Sequence, residues 1–96
     1  MKFVALYRQP EDPAAFDAAY AEHLKLADAV PHTLGYTVTR FNRSLAGESL
    51  YLMYEMRFAD RDAMKAAMTS PEMAALGQDA QQFGPQTISM ATGVKQ

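Results

Sequence analysis

Two histidines, five tyrosines and no cysteine set the chemical repertoire of this 96-residue chain. His23 is the first residue to consider. It follows Tyr20 by three positions and Phe16 by seven, so on a helix it shares or borders the stripe that those aromatic rings bury. An imidazole ordinarily titrates near ~6.5, which suits proton transfer at neutral pH. The expected role is general base or acid on a carbon acid or phenol held in an apolar pocket. The plainer alternative is a part-buried structural histidine bonded to backbone or tyrosine. Tyr7, Tyr20 and Tyr54 could hydrogen-bond a ligand carbonyl from the pocket wall, since each joins an apolar body to a polar tip, although such tyrosines more often belong to a core. Phe16 is a packing residue on any reading and at most a further wall of that pocket. His32, just after Pro31, reads as a solvated turn residue.

Several other chemistries are excluded. Without cysteine there are no disulfides, no thiolate metal sites and no thiol nucleophile. Two histidines without a carboxylate at ligand spacing on the same face make a poor metal site, so no metal is expected. Gly35, Gly47, Gly77, Gly84 and Gly93 are isolated, so neither a dinucleotide fingerprint nor a phosphate loop forms, and no cofactor is expected. A net charge of -2 with both signs interspersed makes no footprint for nucleic acid. No run approaches the ~20 apolar residues that span a bilayer. Phe3 to Tyr7 is too short for a signal-peptide core, so cytoplasmic residence is expected.

Residues 2–8 read as a strand that runs into the turn QPEDP. Asp12 before Pro13 is an N-cap and first helical position, and the helix it opens carries Phe16, Tyr20, Leu24 and Ala27 until Val30-Pro31 closes it. Residues 34–43 and 50–58 are rich in β-branched and aromatic side chains on either side of SLAGE, which predicts a hairpin. Asp60 and then Ser70-Pro71-Glu72 cap two further helices, the second ending near Phe83 and Gly84-Pro85. Residues 86–93 alternate as a last strand. The order βαββαβ, with an extra short helix, is the ferredoxin-like α+β arrangement within a single domain spanning 1–96, with both helical crossovers on one face of a four-stranded antiparallel sheet.

The other sheet face has no cover of its own, yet the strands do not alternate apolar with polar as a wetted face requires. Strand one sets Phe3, Ala5 and Tyr7 against Val4 and Leu6, and strand three sets Leu50, Leu52, Tyr54, Met56 and Phe58 against Tyr51 and Met53. Burying such side chains is worth roughly 1.5–3 kcal/mol each, so a second copy is expected to cover the open face and close a dimeric α/β barrel.

ALYRQPEDPAAFDAAYAEHL at 5–24, YLMYEMRFAD at 51–60 and SPEMAALGQDAQQF at 70–83 resemble the EthD family of dimeric α/β-barrel proteins. The likeness spans nearly the whole chain and is most specific in Phe16-x3-Tyr20-x2-His23 followed by Pro31. It departs at Pro31-His32-Thr33, where members commonly carry a glycine turn, and at Asp79–Gln82, where they carry an acidic-Leu-Asn segment. The resemblance implies a homodimer holding a small apolar or aromatic compound in a barrel pocket, with cofactor-free proton-transfer or oxidoreductase-type chemistry in catabolism. Similar proteins are often labelled reductases, while others on this barrel are isomerase-, cyclase- or monooxygenase-like. The competing expectations are a non-catalytic binding or accessory protein and a structural stress-response dimer.

Overall fold

A computed structural model describes residues 1–96. The elements run β1 (Lys2–Arg8), α1 (Pro13–Ala27), β2 (Gly35–Arg40), β3 (Leu50–Arg57), α2 (Arg61–Met68), α3 (Pro71–Ala80), a 3-10 turn (Gln81–Phe83) and β4 (Ile88–Gly93). The four strands form one antiparallel sheet in the order β2-β3-β1-β4, the ferredoxin-like arrangement that the element order predicts.

Each helix starts where a short polar side chain can replace a missing backbone partner. The amide of Ala15 donates to Asp12 Oδ1 at 3.1 Å, that of Ala63 to Asp60 Oδ1 at 2.8 Å, and that of Met73 to Ser70 Oγ at 3.1 Å. Pro13 and Pro71 stand in first turns, where no amide is needed. On α1 the buried residues are Phe16, Tyr20, His23 and Ala27, spaced as one helical stripe. The turn after α1 passes through His32 at φ 63°, a left-handed conformation that reverses the chain toward β2.

The helices pack on the sheet face formed by Phe3, Ala5 and Tyr7 of β1, Leu52, Tyr54 and Met56 of β3, and Ile88 and Met90 of β4. Tyr7, Leu52 and Met56 are completely enclosed there. The opposite face is less apolar than the strand pattern predicts. Tyr7 pairs with Leu52 but Arg8 pairs with Leu50, which leaves Tyr51 as the extra residue of a bulge. A bulge breaks the period of two, so Tyr51 turns to the helix side. There its ring meets Phe16 edge-on at 5.3 Å and its hydroxyl donates to Asp17 at 2.8 Å. The open face keeps a narrow band of Val4, Leu6 and Met53, bordered by the Lys2–Glu55 ion pair (3.1 Å) and by Thr37 and Thr39.

No helix is long and apolar enough to cross a membrane. Deleting a fully enclosed side chain removes both its burial and the contacts of its neighbours. Leu52→Ala is therefore expected to lower stability by about 3 kcal/mol in urea denaturation. Leu45→Ala, on an exposed loop residue, should change it by less than about 0.5 kcal/mol.

Candidate functional site

The stripe of α1 delivers His23 into the interior, where only 5% of the residue remains exposed. Its ring stacks on Tyr20 at 5.7 Å and meets the edge of Phe83 at 5.3 Å, so it is held between elements on both sides. His23 Nδ1 lies 2.7 Å from Asp79 Oδ2, a carboxylate carried by the last turn of α3. The Gln82 side-chain amide donates to the same oxygen at 3.0 Å. A carboxylate would accept this bond from Nδ1–H, an arrangement that in the neutral ring leaves the lone pair on Nε2.

Beside the imidazole is a cavity of about 160 Å³ between the sheet and α3, partly open to solvent. Phe3, Ala5, Tyr7 and Tyr54 form its floor, Met73 and Leu76 its roof, and Met68 and Met90 its ends. Apart from His23 and the two tyrosines the lining residues carry no polar side-chain group, and the Tyr54 hydroxyl oxygen is itself enclosed away from the cavity surface. The cavity lies within one chain on the helix-covered face. Short helices α2 and α3, presenting methionine, alanine and Gly77, leave space over β1 and β4 that longer aliphatic side chains would fill.

Of the residues singled out by sequence, His23, Tyr7 and Tyr54 border this cavity, whereas Phe16 and Tyr20 do not. Phe16 lies parallel to Tyr20 at 5.4 Å, and both pack against Tyr7, at 5.5 and 5.3 Å. Their part is to hold α1 on the sheet, one turn or two before the imidazole. Asp79 escaped the sequence reading, being 56 residues away from its partner. The available signal was its place three residues after Leu76 on the inward stripe of α3, where a carboxylate needs a partner. Phe83 was missed as well, read only as the end of a helix.

Burial raises the ionisation of the phenols. Tyr7 is pushed up to about 12, and Tyr20 and Tyr54 further still, so all three are neutral hydroxyl groups in the folded protein at ordinary pH. The hydroxyls of Tyr20 and Tyr54 are enclosed, that of Tyr20 beside the Tyr7 hydroxyl. Charged residues stay at the periphery: Glu55 pairs with Lys2 on the open sheet face, and Arg40 pairs with Asp17 at 3.1 Å over the ring of Tyr51. No third histidine or carboxylate joins His23 and Asp79 to make a metal-ligand cluster.

With this geometry in place the relatives can be set beside it. The antibiotic biosynthesis monooxygenase family matches residues 3–78. The chain belongs to the antibiotic biosynthesis monooxygenase family. Among solved structures, an ethyl tert-butyl ether D (EthD) family protein from Bacillus halodurans C-125 is 38% identical, covers 99% of this chain and 97% of its own, and superposes with a TM-score of 0.89. The EthD likeness thus holds against a solved relative, while the family match itself carries the monooxygenase name. Two more distant structures share the fold. A dimeric ferredoxin-like protein of unknown function from Jannaschia sp. CCS1 is 17% identical over 97% of this chain and 98% of that one, with a TM-score of 0.72. SnoaB, a cofactor-independent oxygenase from Streptomyces nogalater, is 16% identical over 99% and 92%, with a TM-score of 0.57. No curated protein matches the chain.

Removing the carboxylate should release the tautomer. In Asp79→Ala, nitrogen-15 spectra of neutral His23 are expected to shift from Nδ1-protonated toward Nε2-protonated, with a stability loss of about 1.5 kcal/mol. A second expectation concerns alkaline pH. The Tyr7 phenol ionises at its ordinary 10.0 when unfolded and at about 12 when folded, so its contribution to stability is complete below pH 10 and is lost as pH rises toward 12. Phenolate absorbance and circular dichroism should therefore change together in one cooperative step within that window.

Proposed function

We propose that this protein takes a small apolar or aromatic compound into the cavity between its sheet and α3, and that His23 moves a proton on it without a bound cofactor. The observation that carries this reading is the enclosed imidazole whose Nδ1 meets the Asp79 carboxylate at 2.7 Å beside an apolar cavity. A carboxylate on Nδ1 fixes the ring orientation, leaves Nε2 as the acceptor and stabilises the imidazolium that forms when a proton arrives. This is the arrangement of a general base with its orienting partner.

Size sets the ligand class. Sites for drug-sized molecules run to roughly 300–1,000 Å³, and a cavity near 150 Å³ accepts benzene. About 160 Å³ therefore suits a single ring or a compact branched alkyl compound, and a fused polycyclic substrate would need the walls to move. Removing a proton from a phenol or carbon acid leaves an electron-rich anion. SnoaB, which shares this fold, is named a cofactor-independent oxygenase.

The proposal includes a twofold partner, with the whole chain acting as one domain in the cytoplasm. The band of Val4, Leu6 and Met53 on the open face supports it, as does the dimeric Jannaschia relative. Native mass spectrometry of protein purified from its own host tests both parts, by reporting the assembly and any retained compound. A dimer carrying a one-ring compound is expected; His23→Ala should retain that compound and fail to convert it. Met53→Lys should sediment as a monomer, because it places an unpaired charge on the covered band. A wild-type protein that sediments as a hydrated monomer would remove the partner from the proposal.

A further inference from the structure

A second, more open groove adjoins the cavity beside His23, between α3 and β4, with room of about 220 Å³. Gln81, Gly84 and Pro85 bound its far side. Gly77, Ala80, Ile88 and Met90 line both spaces and so make their common boundary. Gly77 and Ala80 bring little or no side chain to it. Met90 stands on the edge strand β4 and is 58% exposed, and its unbranched side chain can rotate without moving the backbone.

Gly77 is the member of this boundary that folding alone does not explain. It lies in the interior of α3, one turn after buried Met73 and three residues before buried Ala80. Glycine inside a helix is destabilising relative to alanine, because it loses more conformational freedom on folding. Neither usual reason for keeping it applies. The backbone at Gly77 is not left-handed, and a methyl group added there would meet no atom within 4 Å. Alanine would serve the fold at least as well. What glycine alone provides is a gap between the cavity and the groove.

Resting on the ligand cavity proposed above, we propose that Gly77 is a specificity-determining residue of that site and that the substrate is a one-ring compound carrying an unbranched alkyl chain. The ring occupies the cavity beside His23, and the chain crosses the boundary over Gly77 into the groove. A single ring fills the inner space of about 160 Å³, whereas the two spaces together reach the lower end of the range for drug-sized ligands. No charged residue lines the groove, and Ile88 and Pro85 offer the chain apolar surface. The passage is no wider than one absent side chain, so a methylene chain fits it and a quaternary carbon does not. Rotation of Met90 sets how far it opens.

4-Methylphenol, 4-butylphenol and 4-tert-butylphenol serve as probes, with affinities from NMR titration. The wild-type protein is expected to bind the butyl compound about tenfold more tightly than the methyl one, roughly twofold for each added methylene that the part-open groove shields. The tert-butyl isomer should bind no more tightly than the methyl compound. Nuclear Overhauser contacts should join the terminal methyl of the butyl chain to Ile88 and Pro85; contacts to Met68, at the opposite end of the cavity, would overturn the placement. Gly77→Leu, which fills the gap, should bind the methyl and butyl compounds alike. Gly77→Ala should raise the thermal midpoint by about 4 °C, and a lowered midpoint would give the glycine a folding role and overturn the passage. If the wild type gains nothing from the chain, or Gly77→Leu keeps the gain, this inference falls while the cavity reading stands. If the tert-butyl isomer binds as tightly as the butyl compound, the unbranched class falls. If the wild type binds none of the three phenols, the ligand cavity itself falls.

Discussion

The arrangement depends on how one helix is fixed to one face of the sheet. Tyr7, near the end of β1, meets Phe16, Tyr20 and Phe83 edge-on at 5.5, 5.3 and 5.7 Å, which ties β1 to α1 and to the turn after α3. Edge-to-face pairs have a preferred direction that aliphatic contacts lack, so they set the rotation of α1 about its axis as well as its distance from the sheet. That rotation decides where His23 points. A slip of one residue along the helix would turn the imidazole by about 100° and take it away from both Asp79 and the cavity.

The aromatic cluster and the polar pair are therefore one construction. Rings to one side exclude water from the imidazole, which strengthens its bond to Asp79 and would make an unpaired histidine costly. The carboxylate is a third exposed, so its own desolvation is partial while its partner is almost wholly enclosed. The pair therefore spans the boundary between the enclosed interior and the surface, with the ring on the inner side and the carboxylate on the outer.

Most of this fold could be read from residue types alone, because its signals are local. Asp12, Asp60 and Ser70 cap the helices they were expected to cap, and the strands keep their predicted order with ends trimmed by a few residues. What failed to show was non-local. Nothing near residue 51 announces that Arg8 pairs with Leu50 rather than with Tyr51, so the bulge moved an aromatic ring from one face to the other unannounced. Asp79 is a partner only because α1 and α3 lie side by side, a fact of tertiary packing that no spacing within α3 encodes. The cavity, likewise, is what short helices fail to fill, and a volume deficit is not written in any single residue.

Three of the residues around that space, Met68, Met73 and Met90, are unbranched thioethers, and Met90 is more than half exposed. Each has three side-chain torsions free to change without disturbing the backbone. The shape of the cavity is accordingly set by side-chain rotation, while the imidazole is held between the rings of Tyr20 and Phe83. For a guest of the kind proposed above, the walls would then yield to its outline while the imidazole would not.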